Sequence, residues 1–266
     1  MTQHYLLDNA APQASARFAA LSTIFDPGTI RHLEACGVRD GWHCCEVGAG
    51  GGSIARWLAG RVGAKGSVLA TDIDPRFLQD APHPRLEAVR HDIEAEDLPG
   101  EAFDLVHTRL LLMHVTDVDR VLRRMVAAVK PGGWLLVEDF EVLETEDAER
   151  TPALHPIPKT MKATLRVMAD RGIDLRCGRS LVTRLRALGL TDLAGEGRVF
   201  MWGGASPAAS LRRANYEQLR ESMIAAGLIT VEEYATDLAE LDEPDAVTPS
   251  PIMWAAWGRV PQPTPC

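Results

Sequence analysis

Between residues 44 and 58, "CCEVGAGGGSIARWL", a carboxylate precedes three alternating glycines: Glu46, then Gly48, Gly50 and Gly52, with Ala49 and Gly51 between them. Glycine has the most backbone freedom to lose and is weak inside strands and helices. Its clustering marks a tight turn, or a place where a ligand lies against the chain. A triphosphate-binding loop needs G-x-x-x-x-G-K-[ST], and no lysine is near. A dinucleotide fingerprint, G-x-G-x-x-G, would need glycine where Ser53 stands. Glu46 argues in the same direction. A carboxylate repels a pyrophosphate in a partly dry site, but suits a ligand bearing an ammonium group and a sulfonium cation. Further acids end the next two apolar segments, Asp72 in "VLATDID" and Asp92 in "RHDIEAEDLP". Taken singly, each reads equally as a turn former or helix cap.

Such residues work together only if the fold brings segment ends to one edge. "HCCEVGA" (43–49), "SVLATDI" (67–73), "LEAVRHD" (86–92), "FDLVHTR" (103–109) and "GWLLVEDF" (133–140) are short, near-continuous apolar runs. That is the pattern of strands buried on both faces of a parallel sheet. Helical periodicity separates them at 53–62, with Ser53 as the expected N-cap, and at 117–130, where Thr116 and Asp119 resemble a capping box. "KPGG" (130–133) stops the second helix. Strand–helix alternation predicts an α/β, doubly wound, Rossmann-like sheet. In the less regular second half, helices are expected near 160–171, 179–188, 208–226 and 230–241, the last capped by Thr230 and Glu233. Segments 197–204 and 251–260 are predicted as two final strands.

In this setting the glycine segment resembles motif I of class I S-adenosylmethionine-dependent methyltransferases, on the small-molecule side that includes quinone-biosynthesis and bacterial secondary-metabolite enzymes. The resemblance implies a seven-stranded sheet with the last strand antiparallel, and S-adenosyl-L-methionine as cofactor, S-adenosyl-L-homocysteine as its product. By the same resemblance, Glu46, Gly48, Ala49, Gly50 and Gly52 wrap the methionine and ribose part. Asp72 accepts hydrogen bonds from both ribose hydroxyls, and Ile73 packs on the adenine. Asp92 accepts from the adenine amino group, while the Ile93 N–H donates to a ring nitrogen. Thr108 and Arg109 lie beside the cofactor, and "MVAAVKPGGWLLVED" matches the helix–turn–strand that follows. One domain over 1–266 is expected. It comprises a helical flap (1–40), a cofactor-binding core (41–145), cap helices with strand six (146–250) and the last strand (251–261).

Composition narrows the partners. The 266 residues are 46% hydrophobic and 24% charged, ordinary for a globular chain with a sizeable core. Net charge is −9, and no basic run exceeds a pair, so nucleic acid is not an expected partner. No stretch approaches the ~20 apolar residues that span a bilayer, and the N-terminus has no apolar leader pattern; the expected location is cytoplasmic, away from membranes. Four of the 28 basic residues are lysine, a skew associated with GC-rich bacterial genomes. Five cysteines without a C-x-x-C pair read as buried small hydrophobes, not as a disulfide framework, and no metal site is expected.

Methyl transfer from a sulfonium is an in-line displacement, so positioning and dryness dominate. A general base is needed only when the acceptor must lose a proton. Candidates at the expected strand ends are His114 and Asp139, ahead of His155 in the proline-punctuated link 151–159. The plainer readings are a core or helix-start histidine, a cap or turn acid, and an exposed side chain. Met161, Met168, Phe200, Met201, Trp202, Trp254 and Trp257 are mostly core, though a few could line an apolar acceptor pocket. In the N-terminal helical pattern, Tyr5 and Arg17 are within conceivable reach of the cofactor carboxylate, a plain covering helix being the simpler reading. The expected reaction is methyl transfer to a small hydrophobic or aromatic metabolite, on oxygen, nitrogen or carbon, with oxygen slightly preferred. The rivals are a cofactor-binding protein without turnover and, less favoured, a nicotinamide-dependent oxidoreductase. Assembly is open between monomer and homodimer.

Overall fold

The apolar runs pair as strands because their backbones can be satisfied only by one another once both faces are covered. In the computed structural model, which describes Leu7 and residues 9–79, 83–142, 157–243, 245 and 247–262, the chain forms two compact units. One holds Asp26–Phe140, Cys177–Gly197 and Met253–Cys266; the other holds Met1–Phe25, Glu141–Arg176 and Arg198–Ile252.

The first, the sheet unit, contains β1 (His43–Val47), α2 (Ser53–Arg61), β2 (Ser67–Asp72), α3 (Arg76–Gln79), β3 (Leu86–Arg90), β4 (Phe103–Arg109), α4 (Val118–Ala128), β5 (Val129–Glu141), α6 (Leu181–Ala187), β6 (Thr191–Arg198) and β9 (Ile252–Arg259). Helix α1 (Ala14–Ala35), with Pro27 inside it, enters this unit at Asp26. The seven strands run in the order β3-β2-β1-β4-β5-β9-β6. The first five are parallel where they pair. β9 runs the other way: Gly132 N–H donates to Val260 O and Val260 N–H to Gly133 O, so the start of β5 meets the end of β9. Leu33, Ile54, Leu58, Val68, Leu105 and Leu136 are buried together in the core. Leu33 and Ile30 place residues 26–40 with this core, not with a flap.

Strand six is not at 197–204. β6 ends at Arg198, and Met201–Gly203 forms a separate strand, β7, in the other unit. The sequence of β6, "TDLAGEGR", hides its state because it has almost no apolar side chains. A Cβ on Gly195 would come within 2.5 Å of Val182 Cγ2, so glycine lets α6 lie against the strand. Two caps also differ from expectation. Gly52, with φ 72°, is the N-cap of α2, and Ser53 Oγ instead donates to Asp26 Oδ1 at 3.1 Å. α4 is capped by Asp117, which accepts from Arg120 N, while Thr116 N–H donates to Glu94.

The second unit holds α5 (Lys159–Asp170), α7 (Pro207–Ala225), α8 (Val231–Glu240) and the antiparallel ribbon β7–β8 (β8, Val247–Pro249). Ala163, Val167, Tyr216, Leu219, Met223 and Tyr234 form its core. The Thr230–Glu233 capping box is present. Arg17, from the α1 end that belongs here, is buried, donating to Leu7 O, Asn9 Oδ1 and Gln218 Oε1. Cys36, Cys44, Cys45 and Cys177 are buried, and burial pushes the Cys44 thiol up to about 12. No helix of the described residues is long and apolar enough to cross a membrane.

Candidate functional site

The glycine loop is wound by alternation. Gly48, Gly50 and Gly52 have φ of 68°, 51° and 72°, the left-handed region where a Cβ is strained. It is also crowded: a Cβ on Gly48 would lie 3.1 Å from Leu111 Cδ1, and one on Gly52 2.5 Å from Leu78 Cδ2. The backbone N–H groups of Gly48 and Ala49 both donate to Thr71 O, at 2.8 and 3.0 Å, and Gly52 N–H closes the turn on Ala49 O. Gly50 N–H donates to Asp72 Oδ2 at 2.8 Å, and Asp74 N–H to Asp72 Oδ1 at 2.9 Å. Asp72 therefore already fixes the loop. Each oxygen retains acceptor capacity, since a carboxylate has about four lone-pair positions. Burial, the largest influence, raises its pKa; the two amides oppose it, and the charges of Asp74 and Glu46 raise it further.

Behind the loop lies a polar network that the sequence reading did not anticipate. Strand register sets Glu46 beside His107 and Arg109 beside Glu138, and period-2 alternation puts all four on one sheet face. Asp26, Thr29 and His32 of α1 meet them there. Thr29 Oγ1 donates to Glu138 Oε2 at 2.5 Å, and His32 Nδ1–H to Glu138 Oε1 at 2.9 Å. The donor-only Arg31 guanidinium sets that tautomer, its Nη2 lying 3.0 Å from His32 Nε2. Arg109 donates to Thr29 Oγ1 at 2.9 Å and Asp26 Oδ1 at 2.8 Å. His107, with no exposure, lies between two carboxylates: Nε2 is 3.5 Å from Glu138 Oε2 and Nδ1 3.7 Å from Glu46 Oε1. One signal was available in the sequence, since His107 and Glu138 are polar interruptions in runs otherwise built for burial on both faces.

Burial by itself would lower the His107 pKa, but Glu138 and Glu46 outweigh it and the net shift is upward. Burial would likewise raise Glu138, yet His107, His32 and the Arg109 charge hold it well below the usual carboxylate range. The signs give a pH window. A raised histidine stabilises fully below its ordinary 6.5 and loses that contribution as pH climbs through its folded value. A depressed glutamate stabilises fully above its ordinary 4.5 and loses that contribution in acid. Urea midpoints are therefore expected to peak between roughly pH 5 and 6.5 and fall on both sides. A midpoint flat from pH 6 to 9 would show that His107 is not held as a cation.

The remaining expected residues are placed as follows. Ile73 is 45% exposed, an open apolar side chain directly after β2. Asp92 Oδ1 accepts from Glu94 N at 2.9 Å, and its carbonyl starts the following turn. Ile93 is buried, its carbonyl accepting from Arg124 Nη1. Thr108 is fully buried and donates to Val47 O at 2.7 Å, tying β4 to the tip of β1. After Arg109 the backbone passes through Leu110 at φ 56°, a strained turn for a branched residue, into a 3-10 turn at Leu112–His114. Asp139 is fully buried. Its Oδ2 accepts from Met113 N at 3.0 Å and its Oδ1 from Phe140 N at 2.8 Å, so it fixes the turn that presents half-buried His114. Tyr5 and His155 lie outside the described residues. Among the described residues, no group of three or more His, Cys, Asp or Glu is placed to hold a metal ion.

The network also tests the expected cofactor. Asp26, Glu46 and Glu138 are three carboxylates against two cations, Arg109 and His107. Asp26 is matched by Arg109, while His107 is shared between Glu138 and Glu46 Oε1; Glu46 Oε2 is buried without a hydrogen-bond partner among the described residues. A buried carboxylate oxygen at a strand tip, beside a glycine turn, fits a ligand that brings its own ammonium donor.

The β3-β2-β1-β4-β5-β9-β6 sheet, with β9 antiparallel to β5 and an acid-led glycine loop after β1, is similar in arrangement to the core of class I S-adenosylmethionine-dependent methyltransferases. Residues 45–137 match the family described as a methyltransferase domain. The methyltransferase Str2 of Strobilurus tenacellus is 34% identical over 145 residues, covering 53% of this chain and 50% of its own length. The ubiquinone/menaquinone biosynthesis C-methyltransferase UbiE of Pseudoalteromonas translucida is 32% identical over 122 residues, 43% of this chain and 49% of its own. The chain thus spans about half the length of these curated relatives. Among solved structures, phosphoethanolamine N-methyltransferase 2 of Haemonchus contortus, in complex with S-adenosyl-L-methionine, aligns with a TM-score of 0.58 over 99% of this chain and 60% of that one, at 18% identity. The [4+2]-cyclase SpnF aligns at 0.53 over 90% and 81%, at 19% identity. At such identities these two establish the fold.

Proposed function

We propose that this protein transfers a methyl group from S-adenosyl-L-methionine to a small, hydrophobic or aromatic metabolite. The observation that carries the reading is Glu46 Oε2, buried without a hydrogen-bond partner among the described residues beside the left-handed glycine turn. When bound, the cofactor supplies an activated methyl carbon on its sulfonium. The chain's part is to bind and orient: Glu46 takes the ammonium, Asp72 the ribose hydroxyls, Asp92 and the Ile93 N–H the adenine edge, and exposed Ile73 its face. His114 accepts the proton from an acceptor that must lose one, with Asp139 positioning its turn. Both oxygen and carbon acceptors need that proton step. Oxygen is slightly preferred as the acceptor, and the printed name of UbiE, a C-methyltransferase, supports carbon.

A second reading has one specific support: SpnF is named for a cyclisation, so a chain of this fold that holds the cofactor without methyl turnover is the rival. Thermal melts with S-adenosylmethionine, S-adenosylhomocysteine and NAD address cofactor choice. Both sulfur compounds should raise Tm and NAD should not. Stabilisation by NAD alone would sink the proposal. Conversion of radiolabelled methyl donor across a panel of phenols, quinols and amines then separates turnover from silent binding.

A further inference from the structure

Several arginines among the described residues are matched by a carboxylate. Arg109 pairs with Asp26, Arg124 with Asp97, Arg184 with Asp119 and Arg213 with Asp242, all of these arginines being more exposed than Arg212. Arg212, on α7, is 7% exposed, a depth that cations seldom reach unless paired. Its contacts are with the β7–β8 ribbon. Nη1 donates to Thr248 Oγ1 at 3.0 Å, and Cζ lies 5.8 Å from the centroid of the Trp202 ring. Trp202 and Thr248 face each other across that ribbon. Nε is buried without a hydrogen-bond partner among the described residues. Burial pushes the guanidinium pKa down; the influence opposing it is the Tyr216 hydroxyl, not a carboxylate.

The neighbours repeat the deficiency. Trp202 Nε1, Asn215 Oδ1 and the Tyr216 hydroxyl are also buried without a hydrogen-bond partner among the described residues. Arg212, Asn215 and Tyr216 stand at i, i+3 and i+4, one stripe of α7. Buried polar atoms normally find partners, and a cluster of exceptions calls for a missing one. Of the four groups, the arginine, indole and phenol can all donate, and the one fixed charge is positive. Their complement is an oxyanion, for which the Nε edge of a guanidinium is a bidentate partner. Arg17, in the same unit and also buried, shares a buried Nε with no hydrogen bond among the described residues, but its two Nη atoms meet three acceptors supplied by the chain, whereas Arg212 has one, Thr248 Oγ1.

We propose that Arg212, with Trp202 and Tyr216, is the anchor of an anion-binding site in this unit, taking the carboxylate or phosphate group of a small organic molecule. The site stands apart from the methyl-transfer reading, which neither supports it nor depends on it. Its test is a thermal melt of the full chain with inorganic phosphate as probe. Sodium chloride of equal ionic strength is the reference, and saturating S-adenosylhomocysteine occupies the glycine loop. Phosphate is expected to raise Tm saturably, by about 3 °C at tenfold its dissociation constant. Arg212→Met should abolish the increment and Tyr216→Phe should reduce it, while both variants keep the shift given by S-adenosylhomocysteine. No saturable increment in the wild type overturns the proposal, and so does an equal increment in Arg212→Met. If that variant does not fold, Tyr216→Phe decides, and an undiminished increment there overturns it. A wild type that ignores S-adenosylhomocysteine counts against the cofactor reading alone, because the chloride-matched comparison between wild type and variants still reports on Arg212.

Discussion

Glu138→Ala is expected to lower the unfolding free energy by about 3–5 kcal/mol, the range for removing one partner of a buried, hydrogen-bonded ion pair. The carboxylate accepts from Thr29 and His32 and faces the His107 imidazole. Its removal strands a hydroxyl, a ring N–H and a cation at a point where water has no access. The variant should also lose the decline in stability above pH 6.5, because His107 without Glu138 no longer gains enough to stay protonated. Urea unfolding at pH 6 and pH 8.5 measures both effects. A loss under about 1 kcal/mol, with the pH dependence intact, would mean that His107 draws its charge from Glu46 and that Glu138 is a bystander.

Asp72→Ala should weaken binding of S-adenosylhomocysteine by about 1–3 kcal/mol, roughly 5- to 150-fold in Kd. Two losses add. On the proposed cofactor assignment the ribose hydroxyls lose their acceptor, and Gly50 N–H loses the oxygen that fixes the loop. Asp72→Asn separates them, since the amide oxygen can hold Gly50 but cannot accept at both positions. Titration calorimetry should place Asn between wild type and Ala. Affinity unchanged in Ala would remove Asp72 from the cofactor site.

The parts legible from sequence were those whose physics is local. Left-handed backbone needs glycine, so alternating Gly48, Gly50 and Gly52 announced the turn. Strands covered on both faces need unbroken apolar runs, so five of the seven sheet strands could be located in advance and the last one closely. β6 could not, because its glycines serve the approach of α6, a neighbour distant in sequence. The caps at Ser53 and Thr116 went astray for a related reason. Both hydroxyls fit the local pattern, but Asp26 and Glu94, from elsewhere in the chain, claimed them. The His107–Glu138–His32 network was missed outright, since strand register decides which buried charges meet, and nothing within a single segment encodes register.

The strand order has a consequence for how the chain is made. β9 lies between β5 and β6, so the sheet has a gap until residues 252–259 have been synthesised. On a ribosome the earlier strands wait with β5 and β6 each missing a neighbour, their free edges able to pair with another chain. Closure then joins segments more than a hundred residues apart, the kind of pairing that folds late. A stop codon placed before residue 252 should therefore yield not a shorter folded chain but an aggregating one, even though every residue of the glycine loop would be present.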